Sequence, residues 1–311
     1  MAMRWPTILP QLLRLSTSIT RAQFKNGCRF QTTQALSLNY EEFKTQPNDR
    51  PIILAHGMLG SSANWTSIAK AIHRKTGRHV VTFDARNHGS SPHTPDMSYY
   101  DMAADLAHLV QNQLCWDKAT FVGHSMGGRT VMLSALQNPS LVDQLVVVDI
   151  SPVNQTFDES DPTEWNMSHF FHAMLAVEFP QDVPISQARK EADKQLAKRI
   201  KDSMLRAWLL MNVMQDEETK EIRWRINVNG IYEAFKDHIA RFPDCHGKKF
   251  EGPTLFIGGS ESDYICVSDH EEIKETFPSA QFKYIPKAGH WVHSQKPAEF
   301  IEVLLNFTEN S

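Results

Sequence analysis

Gly123-His124-Ser125-Met126-Gly127 reads G-x-S-x-G, and its surroundings decide the fold. The apolar run Ala119-Thr120-Phe121-Val122 precedes it, and a helix-like run from Arg129 to Gln137 follows. A serine at such a strand-to-helix turn is held in a strained conformation with its Oγ exposed. The flanking glycines let strand and helix backbones approach where a Cβ would collide, and Gly128 adds room. The bare pattern also occurs at ordinary tight turns carrying a surface serine. The strand before and the helix after make Ser125 a candidate nucleophile.

Outward from this turn, apolar runs alternate with helical patterns. Pro51-Ile52-Ile53-Leu54-Ala55 reads as a buried strand ending in His56-Gly57-Met58-Leu59-Gly60. A helix is expected from Trp65 to Thr76, then a strand from His79 to Phe83. Between Ser98 and Leu114, Met102, Leu106, Leu109 and Val110 mark one helical face. Leu145-Val146-Val147-Val148 is a further strand, ending at Asp149. Continuous apolar strands between helices indicate a mostly parallel sheet covered on both faces, an α/β fold. The rhythm breaks after Pro152, and mainly helical patterns run to about Arg241. Strands resume at Pro253 to Ile257 and Gln281 to Ile285, and a terminal helix begins near Pro297. The expected organisation is a core of residues 36–152 and 242–311, with residues 153–241 inserted as a helical cap over the strand ends.

A serine hydroxyl needs a base within hydrogen-bond reach and a group that orients the base. His290, in Ala288-Gly289-His290-Trp291 after the last strand, is the candidate base. Loops at the carboxyl ends of parallel strands share one edge, so His290 can meet Ser125. His293 is expected behind the site or at the surface. His124, inside the turn, is expected to point away from where a base must sit. Asp149 and Asp263 both follow strands and both preserve the order Ser, acid, His, so the spacing leaves the acid open between them. An oxyanion would be met by the backbone N–H of Met126 and that of Met58. Asp84-Ala85-Arg86-Asn87-His88-Gly89 reads as a structural loop.

The chain has 311 residues, 41% hydrophobic and 22% charged, with a net charge of -4. No basic surface points to nucleic acid. Cys28, Cys115, Cys245 and Cys266 are too widely spaced for a CxxC or metal framework, so no metal and no cofactor is expected. No apolar run approaches the roughly 20 residues of a membrane-spanning helix. Residues 1–35 carry Arg4, Arg14, Arg21, Lys25 and Arg29 and no acid, the pattern of a mitochondrial transit segment.

Several segments together resemble the α/β-hydrolase superfamily, from about Leu38 to Phe307, and within it a branch that includes YbfF-like bacterial esterases. They are His56 to Ser61, Asp84 to His93, Val122 to Gly128, Val148-Asp149-Ile150-Ser151-Pro152-Val153, and Ala288 to His293. In the bacterial members the acid belongs to the segment that looks like Val148 to Val153, which favours Asp149 over Asp263. An acid in the cap is implied for animal members, but the position that resembles it here is Asn229, which carries no charge. The resemblance implies a mitochondrial serine hydrolase, a carboxylesterase or lipase acting on acyl esters such as diacylglycerol, or on thioesters. It also implies a link to the 2-oxoglutarate dehydrogenase complex and its lipoylation. The alternative is a non-catalytic member of the fold that stabilises a mitochondrial enzyme complex, because fold alone does not fix function.

Overall fold

The computed structural model describes residues 34–44, 51–154, 167–245 and 247–310. The expected transit segment, 1–35, lies outside the described residues but for its last two.

The strands are β1 (Tyr40–Phe43), β2 (Ile52–Ala55), β3 (Val80–Phe83), β4 (Ala119–His124), β5 (Val142–Val148), β6 (Val213–Gln215), β7 (Ile222–Trp224), β8 (Thr254–Gly259) and β9 (Ala280–Ile285). Seven form one sheet, in the order β1-β3-β2-β4-β5-β8-β9. Only β1 runs antiparallel, against β3 at one edge; the other neighbours pair in parallel. The period-2 alternation of each strand supplies two separate cores. Ile52, Leu54, Val146, Val148 and Ile257 meet Ile68, Ile72, Phe300 and Leu304 on one face. Ile53, Phe121, Leu145, Val147 and Phe256 meet Met102, Leu106 and Val131 on the other. Each such side chain, fully buried, contributes roughly 1.5–3 kcal/mol of transfer free energy.

The covering helices are α1 (Thr66–Thr76) and α10 (Pro297–Asn310) on the first face, and α2 (Tyr99–His108) and α3 (Met126–Gln137) on the second. Helix α1 stops at Gly77, whose φ of 69° is the left-handed conformation that ends helices. The helix expected to run unbroken from Ser98 to Leu114 instead widens into a π turn at Leu109–Gln113. The Gln113 side chain there pairs with both the N–H and the C=O of Leu38, anchoring the chain that enters β1.

Between β5 and β8 the chain leaves the sheet. This segment holds α4 (Met167–Leu175), α5 (Ile185–Leu196), α6 (Ser203–Leu210) and α7 (Val228–Ala234). It is less helical than its pattern suggests, because β6 and β7 form an antiparallel hairpin. Met214, expected in a helix, sits in β6. Val213 and Ile222 bury one hairpin face against Ala188 of α5. Two three-residue strands are too short for alternation to show against a helical background. After β8 come α8 (His270–Thr276) and α9 (Val292–Gln295).

Candidate active site

Register places the site. Gly123 stands opposite Ala55, His124 opposite Val148, and Val148 opposite Ile257. The ladder carries one residue further: Ser125 N–H donates to Val148 O at 3.0 Å, and Asp149 N–H to Ile257 O at 2.8 Å. Ser125, Asp149 and the loops after β8 and β9 therefore emerge side by side at the carboxyl edge of the sheet.

Ser125 has φ 52° and ψ -118°, a conformation costly for any residue with a Cβ. It is set between β4 and α3 with no intervening loop. The close approach of α3 to β2 demands glycine at 127, where a Cβ would come within 2.5 Å of Ala55 O and 2.6 Å of His56 O. Ser125 is half-buried and lines a cleft of about 990 Å³ together with His290, Met58, Met126, Tyr264 and Trp208.

His290 Nδ1 lies 2.8 Å from Asp149 Oδ2. Asp149 is wholly buried, and its other oxygen accepts from the Gly259 N–H at 2.9 Å. Ser262 Oγ donates to the same Oδ2 that meets His290. With Asp149 ionised, Nδ1 must be the protonated nitrogen, leaving Nε2 as the basic one. Tyr264 stacks on the His290 ring, centroids 4.1 Å apart and planes 27° apart. Asp263 stands exposed in the same loop as Ser262. Asn229 is exposed on α7 and lines a different groove, with Trp224 and Phe179. Of the two acids between which spacing could not choose, the structure brings Asp149 to His290.

The N–H groups of Met58 and Met126 have no acceptor among the described residues. Met126 opens α3, so its N–H is one of the helix's orphan donors. Gly57 lies close enough to the elbow that a Cβ there would be 3.4 Å from the Ser125 Cβ. The Met58 turn is held by a reciprocal pair of histidines. Ala85 N–H donates to His56 Nε2 at 3.0 Å, and Leu59 N–H donates to His88 Nε2 at 3.1 Å. Each ring's Nδ1 then donates to a carbonyl, of Gly57 and of Arg86. The Asp84–Gly89 loop is thus structural: Asp84 accepts from the N–H groups of Ser62 and Ser90, and Arg86 grips Asp105 with two bonds of 2.7 and 2.8 Å.

One expectation about the histidines fails, and another is narrowed. His124 does not point away; its ring centroid is 4.7 Å from that of His290, and its Nε2 donates to the His290 carbonyl at 2.8 Å. Of the two places expected for His293, behind the site holds: it is 4% exposed, its ring lies 4.6 Å from that of His124, and it stacks on Trp65 at 4.2 Å. In both cases the loop after β9 folds back over the elbow, which sequence spacing does not register. Burial holds these rings neutral. It pushes the pKa of His88 down to about 3, with His56 adding to the effect, and that of His293 to about 3, with His290 adding. Burial likewise lowers His56, and takes His124 well below its ordinary value, with His293 and His290 contributing.

Sequence reading missed the residues that tie the inserted segment to the site. Asn212 Nδ2 donates to Leu59 O at 2.8 Å, and Asn227 makes two bonds to Asn87 at 2.9 and 3.0 Å. Arg129 Nη1 donates to Ala240 O at 2.9 Å and Tyr99 Oη to Ile239 O at 3.0 Å. No single-residue pattern marks such contacts. Among the described residues no three His, Cys, Asp or Glu are grouped to hold a metal, and no helix is long and apolar enough to cross a membrane.

A family model described as alpha/beta hydrolase fold matches residues 50–297. The sn-1-specific diacylglycerol lipase ABHD11 of Mus musculus is 45% identical over 272 residues, covering 88% of this chain and 85% of that protein. Esterase YbfF of Escherichia coli is 30% identical over 272 residues, covering 88% of this chain and 98% of that one. Among solved structures, a marine microorganism esterase superposes with a TM-score of 0.78 at 36% identity, covering 88% of this chain and all of the other.

Proposed function

The chain belongs to the alpha/beta hydrolase family and is a serine ester hydrolase, and we propose that it cleaves acyl esters of lipids, diacylglycerol among them, through an acyl-Ser125 intermediate. Ser125 Oγ attacks the ester carbonyl while His290 Nε2 takes its proton. Asp149 holds the ring in the required tautomer and stabilises the imidazolium. The oxyanion is met by the N–H groups of Met58 and Met126, and loss of one such donor costs about 100- to 1,000-fold. His290 then returns the proton to the departing alkoxide, and afterwards activates water for deacylation.

The observation that carries this reading is the 2.8 Å contact of His290 Nδ1 with a fully buried Asp149, at the cleft that Ser125 lines. The substrate class draws support from the cleft's apolar lining, with Met167, Phe170, Met204, Trp208, Met211 and Phe235, and from the activity in the mouse relative's name. A thioester could use the same machinery. A fluorophosphonate probe should label the wild type and not Ser125→Ala, and only the wild type should release fatty acid from diacylglycerol. Labelling of Ser125→Ala would remove Ser125 from this role.

The proposed site of action is the mitochondrial matrix, on the strength of the acid-free basic start. Recovery of the protein from cytosol with its first 35 residues intact would overturn it. An association with the 2-oxoglutarate dehydrogenase complex remains part of the proposal on resemblance alone, and co-purification from mitochondrial extract tests it.

A further inference from the structure

Helix α6 carries an apolar stripe that the fold does not cover. Met204 is 77% exposed and Met211 51% exposed, both unusual for methionine. With Ala207 and Trp208 they recur at i, i+3, i+4 and i+7, one face of a helix. All four also line the cleft that holds Ser125, so the stripe is the rim of that cleft.

Charge along the chain that leads into the stripe is uneven. From Ile185 to Met211 there are seven Lys or Arg and three acids, in a chain whose net charge is -4. Lys194 and Arg206 are engaged, with Glu191 and Asp193. Lys198, Arg199 and Lys201, just before α6, are exposed and have no carboxylate partner among the described residues. The Lys201 ammonium meets only the carbonyls of Ala197 and Lys198, on its own chain turn. Asp202, between these cations and the stripe, is engaged as the N-cap of α6, accepting from the N–H groups of Met204 and Leu205. An exposed apolar stripe directly preceded in the chain by unpaired cations is the combination that binds an anionic lipid surface: the methionines enter the acyl boundary, and the cations meet headgroup phosphates. Lysine is depleted at the cores of protein–protein interfaces, which argues against a protein partner here.

We infer that α6 and the preceding Lys198–Lys201 turn dock the protein onto an anionic bilayer, with the cleft mouth facing the lipid. A diester too apolar to dissolve then passes from bilayer to Ser125 along the methionine stripe without crossing bulk water. The purpose of this docking rests on the lipid-ester reading; the docking itself is measured without turnover.

The test is flotation of full-length Ser125→Ala with phosphatidylcholine vesicles, and with vesicles in which about a third of the lipid is phosphatidylglycerol. Binding to the anionic vesicles only, weakened by added salt, is expected. Replacing Lys198 and Lys201 by Ala should weaken it by roughly 5-fold per cation removed. On the Ser125 background that double variant should keep wild-type turnover of a water-soluble short ester, which shows it is folded. Met204→Asp should also reduce flotation, with an unchanged thermal midpoint. Equal binding to both vesicle types, or to neither, overturns the inference. So does binding undiminished by the Lys and Met variants, which would assign the affinity to the basic first 35 residues. If the lipid-ester reading alone is wrong, flotation persists while detergent-dispersed diacylglycerol is left intact; if docking alone is wrong, that diacylglycerol is cleaved without flotation.

Discussion

Asn212 Nδ2 donates to the carbonyl of Leu59 at 2.8 Å, joining the inserted segment to the turn that carries the Met58 N–H. Leu59 is therefore gripped twice, because its own N–H donates to His88 from the core side. Its φ of 58° shows how tightly the turn is bent. The inserted segment not only lines the cleft but also holds the turn that carries the Met58 N–H, the proposed oxyanion donor.

Asn212→Ala should accordingly lower kcat by roughly 10- to 100-fold, since small misplacements of reacting groups cost on that order. KM for a short ester should change little, because the acyl pocket is untouched. Steady-state kinetics on a p-nitrophenyl ester separates the two; a rise in KM with kcat intact would limit Asn212 to holding the segment in place.

Asp149→Asn should lose at least about 100-fold in turnover, and Asp263→Asn less than about 10-fold. An amide at 149 can still accept from Gly259 N–H, but it cannot hold the His290 imidazolium. A large loss for Asp263→Asn with Asp149→Asn nearly intact would transfer the role to the exposed loop.

Acid should destabilise the protein early. His88 and His293 have folded pKa values of about 3 against 6.5 for the free side chain. Below pH 6.5 the unfolded chain takes up protons that the folded one refuses, so stability falls as pH drops from about 6.5 towards 3. Each ring contributes a slope of about 1.4 kcal/mol per pH unit in that window. His293 Nδ1 has no hydrogen-bond partner among the described residues, so His293→Phe keeps the stack on Trp65 and removes the titration. Urea midpoints at several pH values should show a slope shallower by about one proton; an unchanged slope would mean that His293 titrates normally.

Ser125→Gly and Ser125→Ala should both be inactive and yet differ in stability. The φ of 52° and ψ of -118° penalise a Cβ, which alanine keeps and glycine lacks. Glycine should be the more stable by about 1 kcal/mol in chemical denaturation. Equal midpoints would show that the elbow stores no strain at this residue.

Much of the architecture was determined by sequence alone, because its causes are local. The apolar runs Ile52 to Ala55 and Leu145 to Val148 specify strands buried on both faces. The elbow needs only Ser125 and the glycines on either side of it, since the clash they avoid lies between adjoining strand and helix. The α/β-hydrolase fold was legible from that turn and from the segments around it. The hairpin at Val213 and Ile222 was not, because each strand is too short to carry a period.

Tertiary structure decided which acid faces His290, a choice that spacing left open and the family resemblance only favoured. Asp149 and Asp263 both follow strands and both precede His290 in the chain, and only the likeness of Val148 to Val153 to the bacterial esterases set Asp149 apart. Asp149 is separated from His290 by 141 positions, and they meet only because Val148 and Ile257 are in register at the sheet edge. The φ of 50° at Asp149 turns the chain sharply at this level, while Asp263 lies farther out in an exposed loop. The same reason applies to Asn212 on Leu59 and to His124 beneath His290. Local sterics are written in a few contiguous residues; a contact between distant segments is set by the packing of everything between them.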